Sequence, residues 1–139
     1  MKAEGFTHLE SWGITILRVV VGIVFLAHGG QKLFVWGFGN VAGFFAQVGI
    51  PAPMLTAVVV TMVEFLGGLA LLLGLFTRWA AIPLAVNMLG AFLTVHAKGG
   101  FFLPNGFEFV LTLLAANVAL GFLGSGAASV DGLLQKYKA

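Results

Sequence analysis

Four apolar stretches, each close to the ~20 residues that a helix needs to cross a bilayer core of about 30 Å, constrain this chain more than any motif it contains. Backbone inside lipid must satisfy its own hydrogen bonds, so the stretches are read as helices and the fold as all-α. The first runs roughly from Trp12 to Phe34, with Ser11 placed to cap it and Arg18, His28 and Lys32 as its ionisable members. The second follows Pro51-Ala52-Pro53, runs from Met54 to Leu73 with Glu64 near its middle, and stops at Gly74. Thr77 can cap the third, Arg78 to Val95, which carries Pro83 as membrane helices tolerate and Asn87 as its only strongly polar side chain. The fourth starts after Pro104-Asn105-Gly106, near residue 106, and reaches Leu123, with Glu108 in its first turn and Asn117 deeper. The predicted architecture is an integral-membrane antiparallel four-helix bundle, a single domain over residues 1–139.

Composition supports this and excludes other classes. With 60% hydrophobic residues and only seven Lys/Arg and five Asp/Glu, the chain cannot coat a soluble core with polar surface. The formal charge of +2 comes from scattered groups, too few for a nucleic-acid surface. The absence of cysteine excludes disulfides, thiolate zinc sites, c-type haem attachment and iron–sulfur ligation by this chain. Glu4 and Glu10 before the first stretch, and no small-x-small cleavage signal after it, make that stretch a retained span and not a signal peptide.

Four spans place both termini on one side with the turn between the second and third. That side holds Lys2, Arg78, Lys136 and Lys138, against Lys32 and Lys98 opposite, so the positive-inside rule makes it cytoplasmic. On the other side, Val35 to Pro53 carries an apolar stripe of Val41, Phe44, Phe45 and Val48, with Asn40 placed to cap it; this reads as a short interfacial or re-entrant helix. Phe34, Trp36, Phe38, Phe101, Phe102 and Phe107 form an outer aromatic rim, read as a lipid-interface belt or as a ligand-stacking lid. The segments Ala27–Phe34 and Val95–Phe102 echo one another at the outer ends of the first and third spans.

Ionisable groups inside hydrocarbon cost a few kcal/mol each and usually face partners. Counted at ~1.5 Å per residue, Glu64 lies about 15 Å below the outer surface and His28 about 9 Å, with Lys32 shallower. His28 and Lys32 share a helix face, and His96 and Glu108 flank the outer ends of the other spans, so the predicted outer chamber holds His28, Lys32, Glu64, His96 and Glu108. Glu64 must be protonated or paired, with His28 as a partner, and either state makes it a proton carrier as well as a structural clamp. Arg18 is assigned to snorkelling or to the carbonyls near Gly74–Thr77, or else to ligand binding. Two imidazoles could ligate haem, but four short helices leave little room for the macrocycle. No HExxH or other ligand spacing supports a metal site, and His8 reads as an exposed residue.

Leu17-Arg18-Val19-Val20-Val21-Gly22 leading to His28-Gly29-Gly30-Gln31-Lys32-Leu33 sets an ordered pattern. Gly49-Ile50-Pro51, Glu64-Phe65-Leu66-Gly67-Gly68, Leu73-Gly74-Leu75-Phe76-Thr77-Arg78 and Asn105-Gly106-Phe107-Glu108 continue it, and the set resembles the DoxX family over roughly residues 14 to 124. The resemblance implies a four-helix, multi-pass protein of the bacterial cytoplasmic membrane, in the role of a small subunit associated with quinone-linked oxidoreduction. On that reading the outer chamber binds quinone: Glu64 and His28 handle protons, and Lys32, His96, Glu108 and Arg18 contact the ligand. The contrasting readings are a non-catalytic membrane anchor or assembly partner of an oxidoreductase complex, and a small proton-coupled transporter. Implied partners are the bilayer, a quinone, and an oxidoreductase protein or a second copy of the chain.

Overall fold

A computed structural model describes residues 7–139. Helix α1, His8–Gly30, begins in a capping box: Thr7 Oγ1 accepts from the Glu10 N–H and the Glu10 carboxylate accepts from the Thr7 N–H. This cap replaces the one predicted at Ser11, which lies inside the first turn. The chain also does not leave the bundle at Phe34. It widens into a π-helical turn, Gln31–Trp36, bends at Gly37 and continues as α2, Gly37–Gln47. Asn40 sits within α2 and not at its start, its Nδ2 donating 2.8 Å to the Trp36 carbonyl. Of the predicted apolar stripe, Val41 and Phe45 are buried and, with Ala42, dock α2 on Ala57 of α3 as a small second core, while Phe44 is exposed.

Helix α3, Pro53–Leu73, has proline where a missing N–H costs nothing and ends at a left-handed Gly74. Helix α4, Thr77–Ala91, follows a left-handed Phe76, and the Thr77 side chain does not cap it. Instead, the Asp131 carboxylate accepts from the Phe76 and Thr77 N–H groups, which steadies a turn that a non-glycine residue adopts at a cost. Past Ala91 a second π-helical turn, Phe92–His96, leads to a single tight turn over Ala97–Gly99. Helix α5, Glu108–Leu123, starts two residues later than predicted. Helix α6, Val130–Lys138, was not predicted; Ser129 caps it.

Helix α1 packs along α3 and α4 along α5, and looser α3–α4 and α1–α5 seams close the ring. The main core is built on Phe25, Leu71, Leu84 and Leu120. The α1–α3 crossing is close because Gly22 faces Gly68: a Cβ on Gly22 would stand 2.7 Å from the Leu72 backbone nitrogen. Three segments are long and apolar enough to cross a membrane, His8–Gln47, Pro53–Leu73 and Thr77–Gly99, while the apolar Glu108–Leu123 is shorter. No strand occurs among the described residues. The end carrying the α3–α4 turn and α6 is called the inner end below, and the opposite end the outer.

A candidate ligand cavity in the outer half of the bundle

A cavity of about 1100 Å³ lies among α1 to α5 in the outer half. That is ample for one small organic molecule, whose sites usually fall at roughly 300–1,000 Å³. Its walls are largely apolar, with Phe25, Val60, Val63 and Leu113 typical of them. Val59 on α3 and Ile82 and Val86 on α4 line the cavity and are each more than half exposed. The cavity therefore has a side opening along the loose α3–α4 seam. Farther in, Leu84 of α4 packs on Gly67 of α3.

Glu64, 5% exposed, is the charged centre of the wall. Lys32 Nζ donates to Glu64 Oε2 at 2.6 Å, and Asn87 Nδ2 donates to Oε1 at 2.9 Å, so three helical segments meet on one carboxylate. The predicted pairing of Glu64 with His28 is not formed. His28 Nδ1 lies 2.8 Å from the carbonyl oxygen of Val24, one turn back in its own helix. A carbonyl only accepts, so Nδ1 carries the hydrogen, and in the neutral ring Nε2 is left as an acceptor. Lysine reaches Glu64 because its long stem bridges the depth difference that the short imidazole cannot.

His28 and His96 both line the cavity, and His96 Nδ1 is buried without a hydrogen-bond partner. Each stands beside a π-helical turn at an outer end: Gln31–Trp36 begins three residues after His28, and Phe92–His96 ends on His96. Such turns recur at functional sites because they displace side chains from the regular helical register. The sequence echo between Ala27–Phe34 and Val95–Phe102 aligns the two histidines but not the two turns. Asn87 was not among the predicted site residues. A neutral amide alone in an apolar span is a signal, but only the tertiary structure shows its partner.

Two predicted members stand elsewhere. Glu108 is not in the cavity wall: its Oε1 accepts from the Leu103 N–H at 2.8 Å, fixing the loop before α5. It touches the cavity only through Leu103, which lines it. Arg18, 1% exposed, is at the inner end, where its guanidinium donates to the carbonyls of Leu71, Leu72, Ser125 and Ala128. These carbonyls belong to the end of α3 and the loop before α6, so Arg18 joins the C-terminal segment to the bundle with four of its five N–H donors engaged. The aromatic rim mostly packs on itself, as Phe101 does on Phe102 and Phe107; of its members Trp36 alone lines the cavity. Among the described residues no grouping of three or more His, Cys, Asp or Glu side chains could hold a metal ion.

Long apolar helices, apolar side chains exposed over their outer faces, and buried charged groups held by internal partners define a multi-pass helical membrane protein with an internal cavity. The model of the family described as DoxX matches residues 13–97, and the chain belongs to that family. It is 33% identical over 126 residues to CatD of Bacillus subtilis, which is named as a candidate oxidoreductase; the match covers 91% of this chain and 90% of that one. It is 35% identical to the uncharacterized membrane protein Rv3486 of Mycobacterium tuberculosis, over 88% of this chain and 82% of the relative. It is also 34% identical to the inner membrane protein YqjF of Escherichia coli, over 92% and 96%. No solved structure matches the chain.

Proposed function

We propose that the outer cavity binds the headgroup of a quinone and that the chain is a small membrane subunit of quinone-linked oxidoreduction. The observation that carries this reading is the side opening of a largely apolar cavity whose wall holds one buried Lys–Glu–Asn group. A ligand that enters from lipid and needs a few convergent polar contacts at its head suits such a site. A bound quinone would supply the redox chemistry, two electrons and two protons per reduction, with the electrons coming from an oxidoreductase partner. Lys32 has three N–H donors, and those not engaged by Glu64 can hold a quinone oxygen. His28 Nε2 can accept from the hydroxyl of the reduced form. Glu64 holds Lys32 in place and stabilises the ammonium form that donates to that oxygen. CatD's naming as a candidate oxidoreductase agrees with this assignment.

The inner end is assigned to the cytoplasm, with the chain in the bacterial inner membrane. Arg78, Lys136 and Lys138 gather there, and Lys32 on the opposite side is sequestered by Glu64. YqjF and YphA of Escherichia coli are named as inner membrane proteins.

A second reading has one observation in its favour. Both oxygens of Glu64 are satisfied within the protein, so the group also works as an interhelical clamp in an anchor that binds no ligand. Solvent extraction of protein purified in mild detergent, with quinone measured by mass spectrometry, decides between them. Near-stoichiometric quinone in wild type, lost in folded Lys32→Met and Glu64→Gln, supports the redox site. Quinone absent from a stable wild type leaves the anchor.

A further inference from the structure

At the inner end a separate groove of about 470 Å³ runs between the start of α4 and α6. Arg78 and Lys138 line it, with Gln135 between them in the wall and Trp79 and Leu134 as its apolar side. Arg78 is fixed over the end of α5: a Cβ on Gly124 would stand 3.2 Å from its Nε. Neither Arg78 nor Lys138 forms an ion pair or side-chain hydrogen bond with another described residue. Asp131 also lines the groove, but both of its oxygens are occupied by the Phe76 and Thr77 N–H groups. Two cations and one hydrogen-bonded carboxylate thus line the groove, which is left net positive.

What enters this groove is indicated by the surface beyond it. Trp79, Ile82 and Val86 are spaced at i, i+3 and i+7 and are all exposed, so they form one apolar strip that climbs α4 from the groove toward the outer end. A free anion would use the cations and leave the strip bare, whereas a phospholipid uses both. We infer that the Arg78–Lys138 groove binds the phosphate headgroup of an anionic phospholipid, whose acyl chains lie along Trp79, Ile82 and Val86. Helix α6 completes the site by bringing Lys138 to Arg78. Its exposed Leu133, Leu134 and Tyr137 seat it at the membrane surface. The headgroup site does not depend on the quinone reading, since none of the groove residues lines the outer cavity, although Ile82 and Val86 of the strip do.

Native mass spectrometry of the full chain, offered phosphatidylglycerol and phosphatidylcholine of matched acyl chains, tests the site. Wild type should retain phosphatidylglycerol preferentially by about 25-fold, roughly fivefold for each of two basic groups at a membrane surface. Arg78→Gln/Lys138→Gln should bring the ratio close to parity, while Lys136→Gln, on α6 but outside the groove, should keep it. Circular dichroism and thermal unfolding establish that each variant is folded; Lys138→Gln alone, at the exposed end of α6, keeps the test available if the double variant is not. Millimolar inorganic phosphate should leave bound lipid in place. The inference is overturned by absence of preference in wild type, by an equal loss in Lys136→Gln, by full preference in folded Arg78→Gln/Lys138→Gln, or by displacement with phosphate.

Discussion

Lys32 on the π-helical turn after α1 reaches 2.6 Å from Glu64 in the middle of α3, and this contact ties the outer end of one span to the buried centre of another. Their side chains are only 14% and 6% exposed, so the pair is held in a medium where either charge alone is costly.

Removing both partners should therefore cost less than the two single removals added together. Lys32→Met leaves an uncompensated carboxylate and Glu64→Gln an uncompensated ammonium, each expected to destabilise by about 3 kcal/mol. Lys32→Met/Glu64→Gln should fall short of the sum by roughly 1–3 kcal/mol. Denaturant unfolding in detergent, run as a double-mutant cycle, measures this. Simple additivity would show that the pair does not couple.

Glu108 should behave differently from the cavity residues despite its position at an outer helix end. Glu108→Gln keeps an acceptor for the Leu103 N–H and should change stability by less than about 1 kcal/mol. Glu108→Ala should speed hydrogen exchange in the 97–107 loop, and retention of any cavity ligand should persist in Glu108→Gln. Loss of ligand there equal to that in Glu64→Gln would return Glu108 to the site.

Arg18 has a shape that lysine cannot copy. A planar guanidinium bonds four carbonyls in different directions, from α3 and from the loop before α6. Arg18→Lys should cost roughly 2–4 kcal/mol, as several charge-assisted bonds to backbone are lost together. It should also open residues 124–129 to limited proteolysis. An unchanged melting temperature and an intact loop would mean that those carbonyls do not need the guanidinium.

The spans were legible because length and apolar continuity alone decide them, and because Pro53 and Gly74 carry fixed backbone meanings. The polar site was legible in part. Glu64, Lys32, His28 and His96 are conspicuous in apolar surroundings, and all four line one cavity. Their pairing was not legible, because counting depth treats helices as rods ending where polarity rises. The first span instead runs on into a π-helical turn, and side-chain length and a local carbonyl then settle which group meets Glu64. Helix α6 escaped notice because nine residues with three Leu/Val side chains give no sustained period; its stability comes from the Ser129 cap and the Asp131 contacts with a distant turn.

The close crossing of α1 and α3 makes the last prediction sharp in sign. A Cβ on Gly68 would overlap the Leu26 backbone nitrogen, and one on Gly22 would press on Leu72, with backbone and not flexible side chain as the obstacle in each case. Gly68→Ala and Gly22→Ala should therefore destabilise by about 1–3 kcal/mol through overpacking, although alanine is the better helix former. Gly43, in α2, has nothing within 4 Å of its would-be Cβ, so Gly43→Ala should be neutral or stabilising by up to about 1 kcal/mol. Unfolding in detergent separates the cases. If Gly68→Ala matched Gly43→Ala, the backbones of α1 and α3 would have to stand farther apart, and the Lys32–Glu64 contact that depends on their approach would go with them.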